Sequence, residues 1–102
     1  MTTRSPPGVR TPTAVERTVT IVNKLGLHAR AAAKLVTLAA KFKSSIRLRK
    51  DGKEVSGKSI MGVMMLAAGL GSRITIIADG PDAAAALDQL EALFADKFGE
   101  GA

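Results

Sequence analysis

The hydrophobic pattern of the chain alternates between two periods, and this alternation constrains the fold more than any other feature. A period of two residues, which is typical of half-buried strands, covers residues 16–22, 46–49, 53–55 and 73–78. A period near 3.6 residues, which is typical of helices, covers residues 29–42, 59–68 and 82–98. Asp51-Gly52 separates two of the short alternating runs, and this pair predicts a hairpin turn.

The predicted element order is β-α-β-β-α-β-α, and the predicted fold class is α+β. We expect an open-faced sandwich in which a four-stranded, mainly antiparallel sheet carries three helices on one face. Residues 1–14 contain three prolines and four threonines and show no apolar period, so they predict a flexible N-terminal arm. Residues 15–102 are then one small domain.

The composition narrows the possible chemistry. The chain has no cysteine and one histidine, so disulfides and thiolate ligands are excluded, and we expect neither a metal nor a cofactor. No apolar run resembles a signal peptide or is long enough to cross a bilayer, so we expect a cytoplasmic protein without membrane insertion.

Charge is distributed unevenly along the chain. Residues 1–58 carry a formal charge of +10 and residues 59–102 carry −4, which together give the net +6. The only histidine lies in the basic half. This asymmetry favours an acidic or phosphorylated partner, although a basic face also increases solubility without any partner.

His28 directly precedes an alanine-rich helical run, with Arg30 two positions later. The unpaired N–H groups at a helix N-terminus, here those of Ala29 and Ala31, can cradle a phosphate, and an arginine fork suits phosphate oxygens. A neutral imidazole nitrogen is also a nucleophile that can accept a phosphoryl group. These residues predict a phosphate site in which His28 accepts the phosphoryl group and Arg30 binds its oxygens. The alternative is that His28 is only a modest helix cap or a surface residue, as a lone histidine before a helix often is.

The second short helix contains more large apolar residues than a small core needs. Some of them should therefore face water, where flexible methionines suit a surface that meets several partners, although Ile60, Val63, Met64 and Leu66 could also simply fill the core. Ser59 is placed to cap this helix, and its hydroxyl could also accept a regulatory phosphate.

Two other functions fit parts of the sequence. Residues 52–59 match the nucleotide-binding P-loop pattern, but a P-loop follows a buried parallel strand, and here a charged run and a predicted hairpin turn occupy that place. The high positive charge suits a nucleic-acid-binding module, but the chain has three Phe and no Tyr or Trp with which to stack bases. We therefore expect no nucleic-acid partner.

Two motifs at a fixed spacing identify a family. Gly26-Leu27-His28-Ala29-Arg30 and the segment from Lys58 to Met64 resemble HPr, the histidine phosphocarrier of the bacterial phosphotransferase system, and the resemblance spans residues 16–98. It implies that phospho-enzyme I phosphorylates His28, which passes the group to the A component of a sugar-specific or regulatory acceptor. Such a protein is a carrier with a covalent phosphohistidine rather than a turnover enzyme.

The resemblance also implies roles for other residues. The regulatory serine of the family falls on Ser59, the target of HPr kinase/phosphorylase in many bacteria, and its docking patch falls on Ile60, Met61 and Met64 beside Ala33. The family usually has proline where this chain has Ala31, and we expect the phosphate cradle to be kept because alanine adds an N–H donor. The alanine at this position leaves open whether the protein serves sugar uptake or, as the alternative, the nitrogen-related regulatory branch that uses a very similar carrier. We expect a monomer, because one face must meet successive partners.

Overall fold

The computed structural model of the chain describes residues 14–101. The strands are β1 (Ala14–Thr20), β2 (Ser45–Lys50), β3 (Lys53–Ser56) and β4 (Arg73–Asp79). The helices are α1 (Ala29–Ala39), α2 (Ile60–Met65) and α3 (Ala83–Ala95), followed by a 3-10 turn over Lys97–Gly99. The predicted order of elements is confirmed. Ala14, which we assigned to the N-terminal arm, is the first residue of β1, and the rest of that arm lies outside the described residues.

The sheet has the strand order β1-β4-β2-β3, and its three pairings are antiparallel. One face of the sheet packs under the three helices around a single apolar core, which confirms the predicted open-faced sandwich. Most of the largest fully buried side chains of this core come from β2, β4, α1 and α3: Ile46, Leu48, Ile74, Ile76, Leu35, Leu90 and Phe94. No helix within residues 14–101 is long and apolar enough to cross a membrane.

The predicted hairpin turn joins β2 to β3. Asp51 and Gly52 have φ angles of +51° and +80°, and they lie between the paired residues Lys50 and Lys53. Two consecutive left-handed residues form the tight turn that matches the twist of the flanking strands, which explains why this dipeptide favours a hairpin. The turn places β3 at the sheet edge.

All three helices end earlier than the sequence predicts, and β1 spans Ala14–Thr20 rather than residues 16–22. Helix α1 ends at Ala39 rather than at residue 42. Helix α2 ends at Met65 rather than at residue 68, because Ala67 adopts a left-handed φ of +50° and the carbonyl of Ala68 accepts a hydrogen bond from Leu27 N at 2.9 Å. Tertiary pairing with the loop before α1 therefore stops this helix.

Helix α3 is also shorter than the predicted range 82–98. It begins at Ala83 with Asp82 as its N-cap residue, so Pro81 lies before the helix. The Asp82 carboxylate accepts hydrogen bonds from Lys43 N and Ser44 N, each at 2.9 Å, and so holds the start of α3 against the start of β2. The C-terminal end of α3 is followed by the 3-10 turn, which lies next to the functional site described below.

Candidate functional site

His28 is the N-cap residue of α1. Its backbone is extended, its carbonyl accepts the first hydrogen bond of the helix from Ala32 N at 2.8 Å, and its side chain does not cap the helix. The amides of Ala29, Arg30 and Ala31 precede this bond and lie at the helix end that favours an anion. The Ala31 side chain is fully buried, so this residue can offer only its backbone to the predicted cradle.

The loop before His28 is held in place by close backbone contacts. Gly26 has a left-handed φ of +67°, and a Cβ atom on it would lie 2.5 Å from the carbonyl oxygen of Ala68. Leu27 N donates to the same oxygen, and its side chain is buried. The sequence Gly26-Leu27 therefore fixes the direction from which the chain enters α1.

Arg30 lies on an open cleft beside the histidine. The cleft has a volume of about 720 Å³, and its lining includes Lys24, His28, Arg30, Lys34 and Glu100. Arg30 is exposed, and it makes no hydrogen bond or ion pair to another residue between 14 and 101. Three cations thus line the cleft that also contains His28 at the amino end of α1, an arrangement that favours an anion.

The structure adds one residue that the sequence analysis missed. Oε2 of Glu100 lies in hydrogen-bonding contact with Nε2 of His28, and its Oε1 accepts a hydrogen bond from Nδ2 of Asn23 at 3.0 Å. The Glu100 side chain is only 11% exposed. The hydrogen bond from Asn23, with a further contribution from His28, lowers the pKa of Glu100, so this residue is a carboxylate at neutral pH.

Glu100 reaches His28 because the chain reverses direction after α3. Lys97, Phe98 and Gly99 have φ angles of +57°, +55° and +73°, so three consecutive residues are left-handed. Phe98 is fully buried and packs edge-to-face on Phe94, with 5.0 Å between the ring centroids. We call residues 96–100 the C-terminal hook.

Lys34 of α1 also holds the C-terminal hook. Its Nζ donates to the carbonyl oxygen of Phe98 at 2.6 Å, so the hook is tied directly to the helix that begins at His28. The only sequence signal for this arrangement is a glycine and a glutamate after the apolar period of α3 ends. That signal is weak, because left-handed lysine and phenylalanine residues are uncommon and are not expected from sequence.

Ser59 caps α2, as the sequence predicted. Its Oγ accepts a hydrogen bond from Gly62 N at 3.1 Å, and the residue is partly exposed. The P-loop pattern around it has no nucleotide-binding geometry, since residues 52–56 form a hairpin turn and strand β3. Lys58, the lysine of that pattern, donates instead to the carbonyl oxygen of Phe42 at 2.8 Å.

The predicted docking residues lie on an exposed apolar surface of α2. Met61 is 72% exposed, Ile60 and Met64 are about two-fifths exposed, and Ala33 of α1 is partly buried. Within α2 only Val63 is buried. The other large apolar residues of this helix are therefore not needed to fill the core. Met65, Leu25 and Leu70 are also largely exposed, and the sequence analysis did not include them among the docking residues.

The positions of the three phenylalanine residues argue against the alternative of a nucleic-acid-binding module. Phe94 and Phe98 are buried, and Phe42 packs against the core. No strand of the described sheet contains an aromatic residue, so the open face of the sheet offers no platform on which bases could stack.

Comparison with known proteins identifies relatives over almost all of the described chain. The family model named PTS HPr component phosphorylation site matches residues 15–96. Phosphocarrier protein HPr of Cupriavidus necator is 58% identical over 87 residues, which cover 85% of this chain and 98% of that protein. Phosphocarrier protein NPr of Shewanella violacea is 50% identical over 88 residues, which cover 86% and 97%.

Solved structures agree with the sequence comparison. The crystal structure of HPr-C-His from Thermoanaerobacter tengcongensis matches with a TM-score of 0.82 and 46% identity, over 84% of this chain and 97% of that one. A structure of an HPr dimer from the same organism matches with a TM-score of 0.69 and 46% identity, over 80% and 94%. The chain therefore belongs to the HPr family of phosphocarrier proteins of the phosphotransferase system.

Proposed function

We propose that His28 accepts a phosphoryl group from phospho-enzyme I and passes it to the A component of a phosphotransferase-system acceptor. The observation that carries this proposal is the position of His28, at the amino end of α1 and beside the free guanidinium of Arg30 in an open cleft. Because phosphoenolpyruvate supplies the chain of transfers, the protein acts where that metabolite is made, in the cytoplasm.

In this transfer the protein has two tasks: it positions the ring nitrogen of His28, and it stabilises the negative charge on the phosphoryl oxygens. A ring nitrogen of His28 attacks the phosphorus atom, and the bond from phosphorus to the donor breaks with its electron pair on the donor. The backbone donors of Ala29 and Ala31 and the Arg30 side chain stabilise the negative oxygens during transfer. The onward step is the same reaction in reverse, with the acceptor as the nucleophile.

The exposed side chains of α2 support docking of both partners. Ile60, Met61 and Met64 are exposed on α2, and α2 packs against α1, which carries Ala33 and has His28 as its N-cap residue. Methionine side chains adapt to partners of different shape, which suits a surface that meets enzyme I and the acceptors in turn. A monomer keeps this surface accessible, and sedimentation measurements test that state.

The decisive experiment is intact-mass analysis after incubation with phosphoenolpyruvate and enzyme I. We expect one added phosphoryl group, which mild acid removes and which is absent from His28→Ala. Lys41→Ala is the matched control, because it removes an exposed cation just beyond the C-terminal end of α1 and should leave the added mass unchanged. An enzyme I that phosphorylates its own carrier but leaves this chain unmodified contradicts the proposal.

The nitrogen-related regulatory branch is a second candidate destination for the phosphoryl group. The 50% identity to the NPr protein of Shewanella violacea favours it, while the higher identity to the HPr protein of Cupriavidus necator favours the general carrier. Transfer from the phosphorylated protein to a panel of purified A components from both branches decides between them.

We also propose that Ser59 is a regulatory phosphorylation site for HPr kinase/phosphorylase. The residue is partly exposed and lies directly before the apolar surface of α2, so an added phosphate would place negative charge at the docking face. Incubation with that kinase and ATP should add an acid-stable phosphate that is absent from Ser59→Ala. Retention of this phosphate in Ser59→Ala would contradict the assignment.

A further inference from the structure

The two ring nitrogens of His28 have different environments. Nε2 contacts the Glu100 carboxylate, whereas Nδ1 has no hydrogen-bond partner in the described part of the chain. An ionised carboxylate can only accept a hydrogen bond, so a neutral ring in this contact carries its hydrogen on Nε2. The lone pair that can attack phosphorus then lies on Nδ1, which is the ring nitrogen closer to the backbone.

Asn23 orients the Glu100 carboxylate. Its Nδ2 donates to the carbonyl oxygen of Gly26 at 2.9 Å and to Oε1 of Glu100 at 3.0 Å, so both of its amide hydrogens are used. A rotated amide would direct Oδ1 at two acceptors, which is unfavourable. The Asn23 side chain is fully buried, and its Oδ1 has no hydrogen-bond partner among residues 14–101.

The backbone of the C-terminal hook supports a positioning role for Glu100. Left-handed lysine and phenylalanine residues cost free energy, and such strained conformations persist only where the surroundings enforce them. Here the buried Phe98 ring and the hydrogen bond from Lys34 Nζ hold the strained turn. This left-handed turn reverses the chain and brings the Glu100 side chain into contact with His28.

We propose that Glu100 is a positioning residue that fixes the Nε2–H tautomer of His28, and that Asn23 orients the Glu100 carboxylate for this purpose. The proposal rests on the function proposed above, because it concerns the same histidine. Glu100 lies beyond residues 15–96, the segment that the family model matches, so that match assigns it no role.

The electron and proton balance of the transfer agrees with this role. When Nδ1 bonds to phosphorus, the ring keeps its hydrogen on Nε2 and gains a positive charge, while the donor leaves with the electron pair of the broken bond. Glu100 stabilises that charge, as a carboxylate does for the imidazolium in serine hydrolases. In the onward step the electron pair of the N–P bond returns to Nδ1, and the Nε2 hydrogen does not move.

Glu100→Gln tests the proposal with little change of shape. Asn23 can offer only hydrogens to the glutamine side chain, so the glutamine oxygen turns towards Asn23 and its NH₂ group towards Nε2 of His28. The NH₂ group then donates to Nε2, and the ring hydrogen moves to Nδ1. We expect long-range ¹H–¹⁵N spectra of the neutral ring to show Nε2–H in the native protein and Nδ1–H in Glu100→Gln.

Phosphorylation by enzyme I gives the second readout. We expect the initial rate to fall about 10- to 100-fold in Glu100→Gln, as is typical when a carboxylate that orients a functional histidine is removed. Glu91→Gln is the matched control, since it makes the same chemical change on the outer side of α3 and should keep the native tautomer and rate. Glu100→Asp keeps the charge but shortens the side chain, and it should give an intermediate rate.

The two proposals can fail separately. The tautomer measurement needs no phosphoryl donor, so it decides the role of Glu100 even if enzyme I does not phosphorylate the native protein. An Nε2–H tautomer that persists in Glu100→Gln overturns the positioning role, as does a native phosphorylation rate in that variant. Either result leaves the carrier function of His28 untouched.

Discussion

Gly26 is the position at which one added methyl group should most damage the functional site. Alanine at a φ of +67° costs about 1–2 kcal/mol from left-handed strain alone. Its Cβ would also lie 2.5 Å from the Ala68 carbonyl oxygen and 2.7 Å from the Gly69 Cα, so the backbone must separate there. That separation breaks the hydrogen bond from Leu27 N, which is worth about 1 kcal/mol.

We therefore expect Gly26→Ala to lower the free energy of unfolding by about 2–4 kcal/mol, measured by urea denaturation. In a domain of this size each kcal/mol lowers Tm by about 4–8 °C, so the change is also visible by thermal unfolding. Phosphorylation of His28 should slow as well, because the loop that enters α1 is displaced.

Gly71→Ala is the control that separates strain from close contact. Gly71 is also left-handed, with φ of +87°, but a Cβ atom there has no neighbour within 4 Å. This variant should lose only the strain term of about 1–2 kcal/mol and should keep native phosphorylation. Equal destabilisation by the two substitutions would refute the argument that the Gly26 backbone packs against Ala68.

The remaining predictions concern acid stability, the cradle and the docking surface. Hydrogen bonds from Ser44 and from Lys43 N lower the pKa of Asp82 to about 2 from its ordinary 3.8, so its stabilising contribution is present above about pH 4 and is lost as the pH falls towards 2. Urea denaturation should show that Asp82→Asn is less stable than the native protein at pH 7, with a difference that shrinks over this window; a constant difference would contradict the assignment. Ala31→Pro should be phosphorylated no faster than the native protein, because the cradle already has its donors, and a clearly faster rate in the intact-mass assay would oppose this. Met61→Lys should slow phosphorylation by enzyme I about fivefold or more at unchanged Tm, since this exposed side chain belongs to the proposed docking surface; an unchanged rate would remove it from that surface.

Much of the fold could be predicted from the sequence because its signals are local. The change between periods of two and 3.6 residues identifies strands and helices without knowledge of their neighbours. The Asp51-Gly52 turn and the cap at Ser59 depend on the preferences of one or two residues, and both occur as expected. The start of α1 next to His28 could be predicted for the same reason, because the alanine-rich helical run follows the histidine directly in the sequence.

The features that the sequence did not predict depend on distant contacts. Helix α2 stops early because the carbonyl of Ala68 pairs with Leu27, forty-one residues away along the chain. The C-terminal hook turns at Lys97 and Phe98, two residue types that rarely adopt left-handed angles, because Phe98 is buried against α3. No local sequence pattern predicts the early end of α2 or the turn of the C-terminal hook, because each depends on the residues that the segment packs against.

The charge arrangement around His28 suits a group that must be held and then released. In the proposed transfer, Arg30 and the amides of α1 attract the phosphoryl oxygens, and Arg30 has no partner within residues 14–101 that it must leave in order to do so. Glu100 acts on the other ring nitrogen, where a carboxylate stabilises the positive ring of the phosphorylated state without contributing a bond to phosphorus. Because these contacts orient and stabilise the group without enclosing it, the open cleft leaves phosphorus accessible to the next nucleophile. An acceptor that docks on the proposed surface of α2 would then need only to present that nucleophile in line with the N–P bond.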